Sequence, residues 1–387
     1  MNRATAVALA FIVTTATLSV AAVGAGASAA SPSQQTVGAQ SDSDAYAGAY
    51  VAFEASGNAL TDYRVDDDPV FENVSVAAQS DHQTEAGVGA DVSLAAVTNL
   101  SGAGLEFDAR SETRAEVSTE GSASINAHDT ERGILTVDAG DEAQYVELEL
   151  AGESEAEADG DRVVVESDER TGAFVVVGDG DVTVNEQGDV TADLESESTL
   201  VFRSYADGER DDDAEAQEEL IADGTATAEV YVDERDGDRV ADVATYGQGV
   251  AVETQSQSED RLEMTVERAR SEGTVVITSV SESALEAAES ADDLEVTVDG
   301  EAAAEASSYS ELEGGIGEEP RYMVSQSGEA SAAADVLVAV DHFSEREVAI
   351  QDSGSDETGD DTADSVPGFG AIAALVAALV AAASRVR

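Results

Sequence analysis

The chain has 387 residues, 83 acidic against 18 basic, a net charge of −65, and no cysteine. With no basic patch to meet phosphate, nucleic acid is excluded as a partner, and disulfides, structural thiolates and thiol nucleophiles are excluded with the missing cysteines. Every basic residue is arginine, so P-loop, Schiff-base and Ser-Lys chemistry are excluded as well.

Hydrophobic residues reach 42%, but aromatics only 4% and tryptophan is absent. Alanine and valine bury little area each, so the core should be thin and sheet-like. The acids are spread through valine-rich segments and are not gathered in a tail, which predicts a folded protein. Self-repulsion at this net charge opposes compaction in dilute salt. At about 1 M salt the Debye length is only about 3 Å and the repulsion is screened. A body adapted to high salt is therefore expected, with salt cations loosely bound to its acidic surface and no dedicated cofactor.

In chain order, residues 1–29 read as a signal peptide. Arg3 precedes an apolar stretch from Ala4 to Val23 and a run of small residues. The cleavage pattern is Ala27-Ser28-Ala29, with cleavage before Ala30. No twin arginine is present, which favours the general secretory route. Residues 30–44 are small and polar and are expected to be a flexible leader.

From residue 45 to 351 the dominant period is two. Val146, Leu148 and Leu150 alternate with Glu147 and Glu149, and Leu262, Met264 and Val266 alternate with Glu263, Thr265 and Glu267. Such segments predict half-buried strands with acidic outer faces. The apolar runs Phe174–Val177, Leu200–Phe202, Val275–Ile277 and Val336–Val340 predict central strands covered on both sides. Asp-Gly pairs at 159–160, 179–180, 207–208, 223–224, 236–237 and 299–300 predict hairpins.

The fold expected is mainly β, with antiparallel sandwich-like sheets. Two arrangements are open: two or more stacked β modules, or an irregular β-solenoid suggested by an uneven echo among Val190–Tyr205, Leu262–Ser279 and Ala330–Phe343. The modules are placed at 45–205 and 225–351, with an acidic helical connector at 206–224. Two short helices are predicted, Asp212–Ala222 behind an acidic start and Ala284–Ser290 behind a Ser283/Glu286 capping box.

No catalytic residue is expected. His82, His128 and His342 lack the i, i+3 or i+4 spacing of a metal pair and read as polar surface residues, His342 being the one worth inspecting. Neither a G-x-S-x-G elbow nor H-E-x-x-H occurs. Glu147 and Glu149 read as solvated surface, not a glycosidase pair. The turns Asp179-Gly180-Asp181 and Asp236-Gly237-Asp238 do not match a calcium loop, so no metal site is expected. Asn73-Val74-Ser75 and Asn99-Leu100-Ser101 are N-glycan acceptor triplets wherever they lie on a surface loop.

Residues 352–366 form an acidic Ser/Thr/Gly spacer before Pro367-Gly368-Phe369, an apolar run to Ala383, and Arg385 and Arg387. A helix from Phe369 to Ala383 would be about 22 Å long, short of the ~30 Å hydrocarbon core. The trailing arginines would place the tail inside and the body outside.

Triplet, apolar helix and short basic end resemble the PGF-CTERM sorting signal of haloarchaeal surface proteins. The resemblance implies that an archaeosortase-type enzyme recognises Pro367, Gly368 and Phe369 and removes the tail, and that a membrane lipid replaces it. A plain tail anchor, with Pro-Gly breaking the helix at the membrane surface, is the alternative, and both put the body outside. The body resembles uncharacterised secreted proteins of that group through Ser307-Ser308-Tyr309-Ser310-Glu311-Leu312 and Asp341-His342-Phe343-Ser344-Glu345-Arg346, a resemblance that implies no activity. The function expected is a non-enzymatic, membrane-anchored surface protein with an envelope or adhesive role. The rivals are a secreted hydrolase with a converging carboxylate pair in a deep pocket and an extracellular ligand-binding module with a cleft between two lobes.

Overall fold

The structure is a computed structural model that describes residues 44–86, 93–235, 238–247, 250–258, 261–268, 273–281, 294–326, 334–340 and 346–352. Ala27, Ala29 and Ala30, the 284–290 helix, Asp236-Gly237, His342 and the Pro367-Gly368-Phe369 tail lie outside the described residues.

The first nine strands are β1 (Asp44–Ala47), β2 (Val51–Ser56), β3 (Ala59–Val65), β4 (Asp68–Ala78), β5 (Leu105–Arg110), β6 (Arg114–Thr119), β7 (Ser124–His128), β8 (Leu135–Asp138) and β9 (Gln144–Leu150). Then follow β10 (Glu155–Asp159), β11 (Arg162–Glu166), β12 (Arg170–Val177), β13 (Gly180–Val184), β14 (Val190–Leu194) and β15 (Thr199–Ala206). They build two facing antiparallel sheets, β1-β2-β3-β4-β9-β14-β13 and β10-β11-β12-β15-β8-β7-β6-β5.

The second half contributes β16 (Ala226–Arg235), β17 (Asp238–Thr245), β18 (Val250–Ser258), β19 (Arg261–Arg268), β20 (Thr274–Val280) and β21 (Leu294–Val298). It ends with β22 (Glu301–Ala302), β23 (Ala304–Glu305), β24 (Arg321–Gln326), β25 (Ala334–Val340) and β26 (Arg346–Asp352). These form a third sheet, β17-β16-β20-β25-β24-β23, and a fourth, β18-β19-β26-β21-β22. All pairs are antiparallel except β16 with β20 and β23 with β24. The mainly β, sandwich-like expectation holds, and of its two arrangements the stacked sheets are present rather than a solenoid.

Three apolar layers hold the four sheets. Phe174, Leu200 and Phe202 point into the core of the first sandwich, where Val51, Phe53, Phe71, Val146 and Leu148 meet them. Their neighbours Val175 and Val201 point the other way, against Val275, Ile277, Leu337 and Ala339 of the third sheet. Val276, Val336, Val338 and Val340 then face Met264, Val266, Val296, Val348 and Ile350 of the fourth. Because side chains alternate along a strand, each continuous apolar run serves two cores at once, as strands covered on both faces must.

The few aromatic residues of the chain gather in the first sandwich. Tyr46, Phe53, Tyr63, Phe71, Phe174 and Phe202 form a chain of ring contacts 4.8 to 5.9 Å apart through it. The second core is built from valine, leucine, isoleucine, methionine and alanine.

Helices are few. α1 (Gln79–Ala86) was not foreseen. α2 spans the expected Asp212–Ala222, with the Asp211 side chain accepting from the Asp213 and Ala214 amides at its start. α3 (Tyr309–Glu313) is capped by Ser308, which accepts from the Glu311 amide. Among the described residues, no helix is long and apolar enough to cross a membrane.

The Asp-Gly pairs divide by context. Asp159-Gly160 joins β10 to β11, and Asp299-Gly300 joins β21 to β22 with both residues at positive φ, the hairpin geometry of a type I′ turn. Asp179-Gly180 carries the chain from one sheet to the facing one, and Asp207-Gly208 and Asp223-Gly224 flank α2. These three are connections between layers and not hairpins.

Candidate functional site: the seam between the sandwiches

The second and third sheets meet across a layer that is apolar at one end and ionic at the other. The ionic end grows out of the same strand alternation. On β15, Val201 is followed by Arg203 and Tyr205 on the seam face. On β16, a bulge between Ala226 and Ala228 sets the register. Past the bulge, Val230 and Val232 turn to the second core, while Glu229 and Tyr231 turn to the seam. β20 adds Ser279, β25 adds Asp335, α2 adds Gln217, and Arg132 comes from the turn between β7 and β8.

Glu229 is fully buried and lies at the centre. Arg132 donates to its Oε1 at 2.7 Å and Arg203 at 3.0 Å. The Tyr231 and Tyr246 hydroxyls donate at 2.8 and 2.5 Å. Asp335 accepts from Arg132 at 2.6 Å, Gln217 at 2.9 Å and Ser279 at 2.6 Å. Burial works against the Glu229 charge, but the two guanidinium groups and then the two hydroxyls outweigh it and hold its carboxyl at about 2. Burial and then the Glu229 charge push the Tyr246 phenol upward.

A second ionic group pins the rim of the seam. His128 Nδ1 lies 2.6 Å from Asp242 Oδ2. Asp129 accepts from Arg235 at 2.8 Å and from the amides of Ala49, Tyr50 and Val51 at 2.7 to 2.8 Å. Gly48 makes that approach possible, because a Cβ there would fall 2.2 Å from the Asp129 carboxylate. On the far side, Glu218 of α2 is fully buried and accepts from Arg162 at 3.2 Å and Arg210 at 2.8 Å.

The two groups border an open pocket with a cavity volume of about 60 Å3. Tyr50, Thr130 and Glu131 line it from the first sandwich, and Tyr231, Asp233 and Val240 from the second. Its sheltered carboxylates, Asp129, Asp242 and Asp335, are each engaged by arginine, histidine or backbone amides. That arrangement ties the sandwiches together.

Two sequence readings change here. Glu147 is not solvated surface: it is 2% exposed. β9 lies between β4 and β14, and the irregular segment 93–101 covers its outer face. The Glu147 carboxylate anchors that segment by accepting from the amides of Asn99 and Leu100 and from the Asn185 side chain. His128 is not a surface residue either, being 2% exposed in its pair with Asp242. No local spacing could reveal that pair, since 114 residues separate its members. His82 stacks edge-on against Tyr145 at 5.3 Å.

The acceptor triplets also separate. Asn99 is exposed in a loop at φ 55. Asn73 sits half-buried within β4, paired on both sides, and the hydroxyl of the buried Ser75 donates to it at 2.9 Å. Among the described residues, no group of three or more histidine or acidic side chains is placed to hold a metal ion, and the Asp179-Gly180-Asp181 turn forms no such group.

No protein-family model matches the chain, and no curated protein matches it. One solved structure aligned with it is a glycoside hydrolase of family 81 from Clostridium thermocellum, at 8% identity and a TM-score of 0.34. The alignment covers 78% of this chain and 34% of that one, so the chain spans about a third of that protein's length. Similarity at this level carries no inference about activity.

Proposed function

We propose that the protein is exported, anchored at its C-terminal end, and displays its four-layered β body on the outer face of the cell membrane in high salt, in a non-enzymatic envelope or adhesive role. The observation that supports this reading most is where the arginines go. Of those whose side chains are described, only Arg64, Arg110 and Arg114 are exposed. Arg132, Arg162, Arg170, Arg203, Arg210 and Arg235 are drawn into pairs with carboxylates. The cations are spent on joining layers, and the acids are left to coat the exterior. Such a surface keeps a displayed body hydrated and soluble where salt screens its repulsion.

In this reading the signal sequence is cut after Ala29. An archaeosortase-type enzyme acts at Pro367-Gly368-Phe369, and the acidic spacer holds the body off the membrane. Display is preferred to hydrolysis because a catalytic carboxylate pair must be free to meet substrate, whereas the sheltered acids of the seam already have partners.

Intact mass and terminal peptide mapping of protein from its native membrane is the test. The expected chain starts at Ala30, ends near Pro367 and carries a lipid-sized addition. Glycan mass is expected on the exposed loop residue Asn99 and not on Asn73. A mature chain lacking both a lipid and the apolar tail would overturn the anchoring.

Salt gives an independent check. Raising KCl from about 0.1 to about 1 M shortens the Debye length from about 10 to about 3 Å, and the thermal midpoint should climb steeply across that range. A midpoint that does not move would remove the case for adaptation to brine.

A further inference from the structure

We infer that the first part of β18, residues 250–254, is the surface through which two copies of this chain pair, edge to edge and antiparallel, across a two-fold axis.

A strand at the rim of a sheet carries a row of unpaired amides and carbonyls, and proteins blunt such rims with short strands or with charge. The other rims of the described body follow that rule. β1 and β13, which end the first sheet, have four and five residues. β22 and β23 have two each. Charged residues take three of the five positions in β10, three of six in β5 and three of eight in β17. β18 breaks the rule. It has nine residues, VAVETQSQS, and Glu253 is their single charge. Among the described residues it pairs with β19 alone and so ends the fourth sheet.

The register with β19 shifts between Thr254 and Ser256. A bulge of that kind bends a strand and disturbs its ladder, so the regular part of the rim is the stretch before it, Val250 to Thr254.

Charge selects the occupant. Residues directly opposite each other in an antiparallel pair share a face, and like charges there are unfavourable. A two-fold contact sets one segment against itself. Centred on Val252, it places Val250 against Thr254, and Ala251 against Glu253 of the second copy, so no acid meets an acid. The repulsion between two bodies of charge −65 is screened at about 1 M salt, where the Debye length is about 3 Å. A contact of one short strand on each side is small, and the dimer is weak. Copies displayed on one membrane would meet at a raised effective concentration, but the pairing itself does not depend on the anchoring proposed above.

The test is sedimentation of the full chain in about 1 M KCl, from about 10 μM to about 1 mM, the range of a weak contact, together with backbone amide hydrogen exchange. A monomer–dimer equilibrium is expected, with the amides of residues 250–254 gaining protection as the dimer forms. Ala251→Arg sets an arginine against Glu253 twice in each dimer and should tighten it at least about threefold. Adding Glu253→Arg turns both contacts into arginine pairs and should weaken the dimer at least about threefold relative to the natural chain. Circular dichroism should show the fold unchanged in both variants. A chain that stays monomeric throughout, or a dimer whose new protection lies outside β18, would overturn the assignment. So would residues 250–254 already protected in the monomer, because another segment of the same chain would then cover the rim. Affinities that ignore both substitutions would overturn it as well.

Discussion

Glu229→Gln is expected to lower the unfolding free energy by about 3–5 kcal/mol at neutral pH, the usual range for breaking a buried ion pair from one side. The substitution keeps the shape but leaves Arg132 and Arg203 facing an amide. Arg203 is 1% exposed and Arg132 half-buried, so neither can turn to water without dismantling the seam. The effect should fade in acid. Glu229 is held at about 2 against an ordinary 4.5, so its charge contributes in full above about pH 4.5. The contribution is lost as pH falls through about 2. Urea unfolding of both proteins between neutral pH and pH 2 checks this: the gap between their midpoints should close across that window. A constant gap would mean that Glu229 acts through packing. High salt should leave the gap largely intact, because a buried pair is screened far less than the surface.

Phe202→Ala is expected to cost about 3–5 kcal/mol, through lost transfer energy and a cavity that its neighbours cannot close. Phe202 is 1% exposed, and its ring centroid lies 4.8 Å from those of both Phe71 and Phe174. The more informative readout is cooperativity. β15 presents Phe202 to the first core and Val201 and Arg203 to the seam. Loosening that strand should therefore weaken the second sandwich as well. A single transition shifted to lower denaturant is the expected result in calorimetry and in urea. Two separate transitions, with only the first displaced, would show that the seam does not couple the halves.

What the sequence makes legible is whatever repeats at short range. The run Val336 to Val340 announces a strand buried on both faces, and the structure divides it between two cores. Asp212–Ala222 is legible because its acidic start and cap are contiguous. α3 carried a comparable cue, Ser308 with Glu311 three residues on, but over a segment too short to show helical period. Glu147 was misread for a definite reason. Alternation predicts which side of a strand faces the neighbouring sheet, but not whether the other side is roofed. The roof, residues 93–101, has no period of its own. The ionic cluster of the seam was invisible for the same kind of reason. Arg132, Glu229 and Asp335 are each one more charge in a chain full of them, and only the topology brings them together.

β26 has a further consequence. It is the last strand of the described body, yet in the fourth sheet it lies between β19 and β21, pairing with both. Those two strands do not pair with each other; they are joined only through β26. A chain delivered from its N-terminus can complete the first sandwich from residues 44–206, but β19 and β21 must wait with open edges until residues 346–352 arrive. The order of arrival thus separates the two halves in time: the first can fold early and serve as a platform, and the second closes in one late step. During that interval the exposed strand edges are open to mispairing.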